Sequence, residues 1–219
     1  RRHRDADSGE AARALFTKKT AAATVAGHWV SADVKALGGG VADAVNHYAT
    51  FADLVIVGQH EEGVEERRAE DRLAERVILG SGKPVLIVPY TGGFTKVPER
   101  VLIAWKTGRE MSRTLSDSLP LLQSAGCTHV FEVNPTQGEV ADMEQLRSYL
   151  AAHGVETQVE TSAITELKIG DILLNRVSDE GSDLLVMGAY AAPHFGSYAL
   201  GDVARHVLKH MTVPVLMSH

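Results

Sequence analysis

Residues 187–202 read MGAYAAPHFGSYALGD, an apolar run that breaks into a loop and stops where a helix begins. Gly188 and Gly201 bracket that loop. Glycines let a backbone approach phosphate oxygens closely, and N–H groups at a helix start supply donors with the positive end of the helix dipole. Asp202 argues the other way, because an ionised carboxylate only accepts hydrogen bonds and repels a polyanion. It suits instead an N-cap for a helix beginning at Val203, worth about 0.5–2 kcal/mol. Other residue sets carry less chemistry. His206 and His210 stand four apart and share a helix face, as zinc ligands do. No Glu or Cys completes that set, and histidines also suit a helix end. Ser81 in GSGK precedes a strand instead of opening a helix, so it lacks the context of a phosphate loop. No G-x-S-x-G elbow supports Ser/His/Asp catalysis. Cys127, the single cysteine, reads as a packing residue and is compatible with a reducing compartment.

The elements that must position these residues follow from composition and pattern. The 219 residues are 44% hydrophobic and 23% charged, with a formal net charge of -6. That is ordinary globular usage, enough for one large or two small domains. An acidic balance offers no electrostatic case for nucleic acid or for an anionic membrane. The longest apolar runs are strand-sized, too short for a bilayer span. The opening RRHRDADSGE could suit a nucleic-acid arm, and reads better as a solvated, frayed end.

Two segments match at a constant offset of 130 residues. ADLVIVG, ending at Gly58, parallels SDLLVMG, ending at Gly188, and KPVLIVP around Pro84 parallels VPVLMSH around Pro214. Asp53 and Asp183, Gly40 and Gly170, and Val77 and Val207 keep the register. Such a period is domain-sized, far beyond the ~20–50 residues of a solenoid repeat. The chain therefore reads as two tandem copies of one domain, residues 1–97 and 98–219. In the second copy five strands alternate with four helices, the pattern of a parallel sheet covered on both faces. In the first copy the pattern gives a helix at 8–24, a strand at HWVSA, a helix at 38–50, the strand DLVIVG, a helix at 66–79 and the strand PVLIV. Nothing there matches the second copy's opening strand, helix and second strand. The first strand is central in a doubly wound sheet, so a further segment is expected ahead of Arg1.

The motifs DLLVMGAY, LGDVARHVLKHMTVPVLMSH and RVLIAWKTGREMSRTLSDSLPLL, with DLVIVGQH and VILGSGKPVLIVPY in the first copy, resemble a tandem universal stress protein. The resemblance covers most of residues 25–219. It implies two tandem flavodoxin-like (Rossmann-like) α/β domains, each an open five-stranded parallel sheet with helices on both faces, the first truncated at its N-terminus. It also implies a pseudo-dimer through the last strands, with a homodimer as a further arrangement, and a cytoplasmic stress role. Some members bind ATP or related adenine nucleotides, and others bind none. In binding members a glycine-x-x-glycine loop follows the fourth strand, glycine and then serine or threonine come nine residues later, and an acidic residue ends the first strand. Against that pattern Gly188 and Gly201 match, Ala191 takes the second glycine position, and Asp202 takes the serine or threonine position. Trp105-Lys106-Thr107-Gly108 stands where the first strand ends.

Ala191 is tolerable in a right-handed backbone region and costs about a kcal/mol or more in a left-handed one. Lys106 has three readings: an anion ligand, a solvated loop lysine, or a partner for Asp202 across the phosphate position. In the first copy the matching positions are Glu61 and Asp71-Arg72, joined by EEGVEERRAEDR. So many carboxylates repel a triphosphate and suit a charged, solvated helix. The sequence thus reads as a stress-response binding or interaction protein, without catalytic or metal-ligating residues. It carries at most a degenerate nucleotide site, formed by Lys106, Gly188, Ala191, Gly201 and Asp202. One alternative is a competent binder of ATP or another adenine nucleotide, with slow hydrolysis. Another is a binder of a different small molecule, in a pocket reshaped by Ala191, Phe195 and Tyr198. Neither a nucleic acid nor a membrane is expected as a partner.

Overall fold

A computed structural model describes residues 2–34, 36–60, 72–136, 139–194 and 197–219. The chain divides into two compact units, residues 1–38 and 39–219. The first unit is built on α1 (Arg2–Ala23). After it the chain turns back, with the Val25 amide donating to the Thr20 carbonyl. Trp29 then lies on Phe16 with ring centroids 5.5 Å apart. HWVSA, expected as a strand, joins no ladder. Its indole packs on Phe16 of the helix.

The second unit contains, in order, α2 (Val41–Ala49), β1 (Val55–Gly58), α3 (Leu73–Gly80), β2 (Val85–Val88), β3 (Arg100–Trp105), α4 (Arg109–Ser124), β4 (Cys127–Val133) and α5 (Glu139–Ala152). It continues with β5 (Thr157–Ser162), α6 (Ile169–Asp179), β6 (Leu184–Gly188), β7 (Ala191–His194), β8 (Ser197–Leu200), α7 (Asp202–His210) and β9 (Val215–Ser218). Seven strands form one sheet in the order β1-β2-β9-β6-β3-β4-β5. The second repeat supplies β9-β6-β3-β4-β5, an open five-stranded parallel sheet. The first repeat supplies only β1 and β2, themselves parallel. The last strands of the two repeats pair antiparallel, Val85 opposite Met217, Leu86 opposite Leu216 and Ile87 opposite Val215.

Each face of the sheet has its own apolar layer. On one face α2, α3, α6 and α7 bring Ala42, Val77, Ile78, Leu173 and Val207 onto Val57, Val85, Ile87, Leu185 and Met217. That cluster runs unbroken across the two repeats. On the other face α4 and α5 bring Met111, Leu115, Leu146 and Leu150 onto Ile103, Val130, Val186 and Leu216. Here the first repeat contributes little. Val186 is fully buried, while its repeat mate Ile56 is 62% exposed, because β1 is the edge of the sheet with no counterpart of β3 beside it.

The internal repeat has concrete structural meaning. A Cβ on Gly170 would sit 2.6 Å from the His206 ring, and one on Gly40 would sit 3.2 Å from the guanidinium of Arg76, the repeat mate of His206. Each glycine thus sits against the side chain of the following helix, closely at Gly170 and more loosely at Gly40. Beside each crossing an acid on one helix meets a base on the other: Asp43 with Arg76 at 3.0 Å, and Asp171 with His206 at 2.6 Å. Asp43 also accepts the Gly40 N–H, and that bond followed by the Arg76 bond holds its carboxyl below the ordinary range. Asp183 accepts the amides of Glu99 and Arg100 at 2.9 Å each, which fixes the start of β3 against β6.

The seam should be testable by truncation. Leu216 is fully buried and faces Leu86 across the antiparallel pair. Leu216→Ala is expected to lower the unfolding free energy by about 2–5 kcal/mol in urea titrations. A change below about 1 kcal/mol would show that this pairing is not part of the core.

Candidate functional site

A cavity of about 310 Å³ opens at the carboxyl ends of β3 and β6. Those strands are neighbours, and the helices that follow them leave to opposite faces, which makes this the switch point where open α/β sheets bind ligands. The walls are mostly apolar: Ala104, Trp105, Val133, Ile169, Leu173, Met187, Val203 and Ala204. Lys106, Asp202, Tyr190 and the backbone at Gly188 and Gly201 form the polar rim. Lys106, Gly188, Gly201 and Asp202 are therefore brought together, as residues lining one space.

Each plays a part that the sequence did not spell out. A Cβ on Gly188 would lie 3.0 Å from the backbone nitrogen of Met111, so this glycine lets α4 approach β6. Ala191 begins β7, in extended backbone opposite Leu200, so a left-handed cost does not arise. The β7–β8 hairpin was not foreseen. Its base is closed by the Gly201 amide, which donates to the Tyr190 carbonyl at 2.8 Å. The Tyr190 hydroxyl in turn donates to the Lys106 carbonyl.

Asp202 requires a correction. The N-cap of α7 is Gly201, and no side chain caps this helix. Asp202 is the first helical residue, its side chain 94% exposed and paired with Arg205. It neither caps the helix nor holds Lys106. An acid at the first turn complements the helix dipole, and an arginine three residues on lies within reach of it. Among the described residues no carboxylate pairs with the exposed Lys106 ammonium.

In the first repeat, Glu61, Asp71 and the rest of the acidic loop through residue 71 lie outside the described residues. Arg72 is described, and its backbone is left-handed at φ 63° ahead of α3. Its guanidinium donates two hydrogen bonds of 2.7 Å to the buried carboxylate of Glu75. Glu75 also accepts the Leu200 amide of the second repeat at 3.1 Å. Burial pushes this carboxyl up, but the Arg72 bond, the Leu200 amide and the charges of Arg72 and Arg205 outweigh it, holding Glu75 below its ordinary 4.5. The sequence reading passed over Glu75. The signal was present in the offset of 130, which matches Arg72 with Asp202 and Glu75 with Arg205. Both repeats thus carry an ion pair at the same place, with the charges exchanged.

The remaining candidates are placed as follows. The His206 and His210 rings meet at a tilt with centroids 4.6 Å apart, and His206 meets Asp171. Cys127, half-buried at the start of β4, lies 3.1 Å from His129 Nε2.

Sheet order and switch-point cavity together define an open, doubly wound α/β fold. Residues 124–219 match the model of the universal stress protein family. A universal stress protein from Archaeoglobus fulgidus DSM 4304 aligns with 97% of the chain and 76% of its own, with a TM-score of 0.78 and 18% identity. A functionally unknown protein from Pseudomonas aeruginosa PAO1 aligns with 95% of the chain and 77% of its own, with a TM-score of 0.59 and 14% identity. At these identities the likeness is one of fold. No curated protein sequence matches the chain significantly.

The Glu75 carboxyl makes a pH prediction. A folded-state value below the unfolded one gives stability that is present above about pH 4.5 and is lost as pH falls through the folded value. In urea titrations the advantage of wild type over Glu75→Gln should be full at pH 7 and should shrink steadily below pH 4.5. An advantage that grows on acidification would contradict the assigned hydrogen bonds.

Proposed function

We propose that the chain is a tandem universal stress protein that binds and does not turn over its ligand. Its domains would divide at residues 1–97 and 98–219. Its second repeat would offer a reshaped site for a neutral, nucleoside-sized molecule. The observation that carries this reading is the pairing of mostly apolar walls with the Asp202 carboxylate on the rim. A volume near 310 Å³ is at the small end for ligand pockets. An acceptor-only carboxylate beside the start of α7 opposes a phosphate chain where the helix dipole would otherwise favour one. A cytoplasmic role is part of the proposal; among the described residues no helix is long and apolar enough to cross a membrane.

A second reading has one observation in its favour. Lys106 stands on the same rim with no carboxylate partner among the described residues, as an anion ligand would. The two readings separate in thermal unfolding with adenosine, with magnesium ATP and with salt of equal ionic strength. A ligand that binds the folded state at 100 times its Kd adds about 2.7 kcal/mol. Adenosine is expected to raise Tm, and ATP no more than the salt control does. A larger rise with ATP, abolished by Lys106→Ala, would establish the competent nucleotide site instead.

A further inference from the structure

The base of the β7–β8 hairpin is held by a residue from the other repeat. Ala191 and Leu200 face each other, and the flanking bond runs from the Gly201 amide to the Tyr190 carbonyl. In an antiparallel ribbon this makes Ala191–Leu200 a non-hydrogen-bonded pair, so the Leu200 N–H points away from β7. Leu200 is 1% exposed, so water cannot satisfy that amide. Glu75 does so, from α3 of the first repeat, while Arg72 fixes the carboxylate from its other side.

The next links lead into the cavity. Leu200 adjoins Gly201, the N-cap of α7; Gly201 is tied to Tyr190; and Tyr190 is tied through its hydroxyl to the backbone of Lys106. Tyr190, Lys106 and Gly201 all line the space described above. Without an acceptor at residue 75 the buried amide would be left unpaired, and the hairpin base would have to move to reach water. Gly201 and Tyr190 would move with it.

We infer that Glu75 is the positioning residue for the second repeat's cavity, so that ligand binding there depends on α3 of the first repeat. The binding part of this inference rests on the function proposed above; the anchoring part does not.

The test uses the full chain, with amide hydrogen exchange read at Leu200 and Gly201 and with adenosine as the binding probe. Glu75→Gln keeps an acceptor for the Leu200 amide, whereas Glu75→Leu fills the same space without one. Glu75→Leu is expected to speed exchange at both amides by roughly tenfold or more and to weaken adenosine by about tenfold, more than the drop in its unfolding midpoint accounts for. Glu75→Gln should restore both to within about threefold. Should Glu75→Leu fail to fold, Arg72→Met releases the carboxylate from one side and should speed the same two amides by about threefold. Unchanged exchange in a folded Glu75→Leu protein, or in Arg72→Met, overturns the anchor. Loss of affinity only in step with loss of global stability reduces Glu75 to a structural residue and overturns the positioning role. If wild type does not bind adenosine, the proposed ligand class fails, and the exchange result still decides the anchor.

Discussion

Val85 opposite Met217, Leu86 opposite Leu216 and Ile87 opposite Val215 join the two repeats through the backbone, and the rest of the architecture hangs on those pairs. On their own β1 and β2 would be a two-stranded ribbon, which is marginal in water. Laid against β9 they become the flank of a seven-stranded sheet, and their inward side chains enter a core shared with α6 and α7. The join also brings the start of α3 beside the end of β8, which is how Glu75 comes within reach of Leu200.

Much of this was legible because it is periodic or repeated. DLLVMG and VPVLMS are continuous apolar runs, and both are strands buried on each face. Asp183 and Gly170 stood out only through their mates Asp53 and Gly40, yet one anchors the start of β3 and the other permits a helix crossing. HWVSA misled because β propensity describes a fit to a half-buried sheet surface, and among the described residues this segment pairs with no strand. Its Trp29 finds Phe16 instead.

The candidate site was legible as a place and not as a mechanism. Family spacing led to the end of β6 and the start of α7, and Lys106, Gly188, Gly201 and Asp202 line one cavity there. Their roles were harder to see. Gly188 is glycine because α4 comes close, and Gly201 occupies the cap position that Asp202 was expected to take. A one-residue shift in helix start turns a capping carboxylate into a first-turn carboxylate, and propensity does not resolve helix ends that finely. The hairpin left less signal still, since Pro193 and the glycine and serine residues around it read as an irregular loop. Contacts between repeats, such as Glu75 with Leu200, leave no local pattern in either segment.

The exchanged ion pairs at the starts of α3 and α7 bear on which surfaces can meet. Arg72–Glu75 in one repeat lies close to Asp202–Arg205 in the other, and Arg205 acts favourably on the Glu75 carboxylate. If both repeats carried the second repeat's residues, two arginines would approach each other at that point. If both carried the first's, two glutamates would approach each other there, one of them buried. Opposite polarity makes the repeats complementary to each other and mismatched to themselves, so the asymmetry at four residues favours the meeting of unlike repeats over like ones.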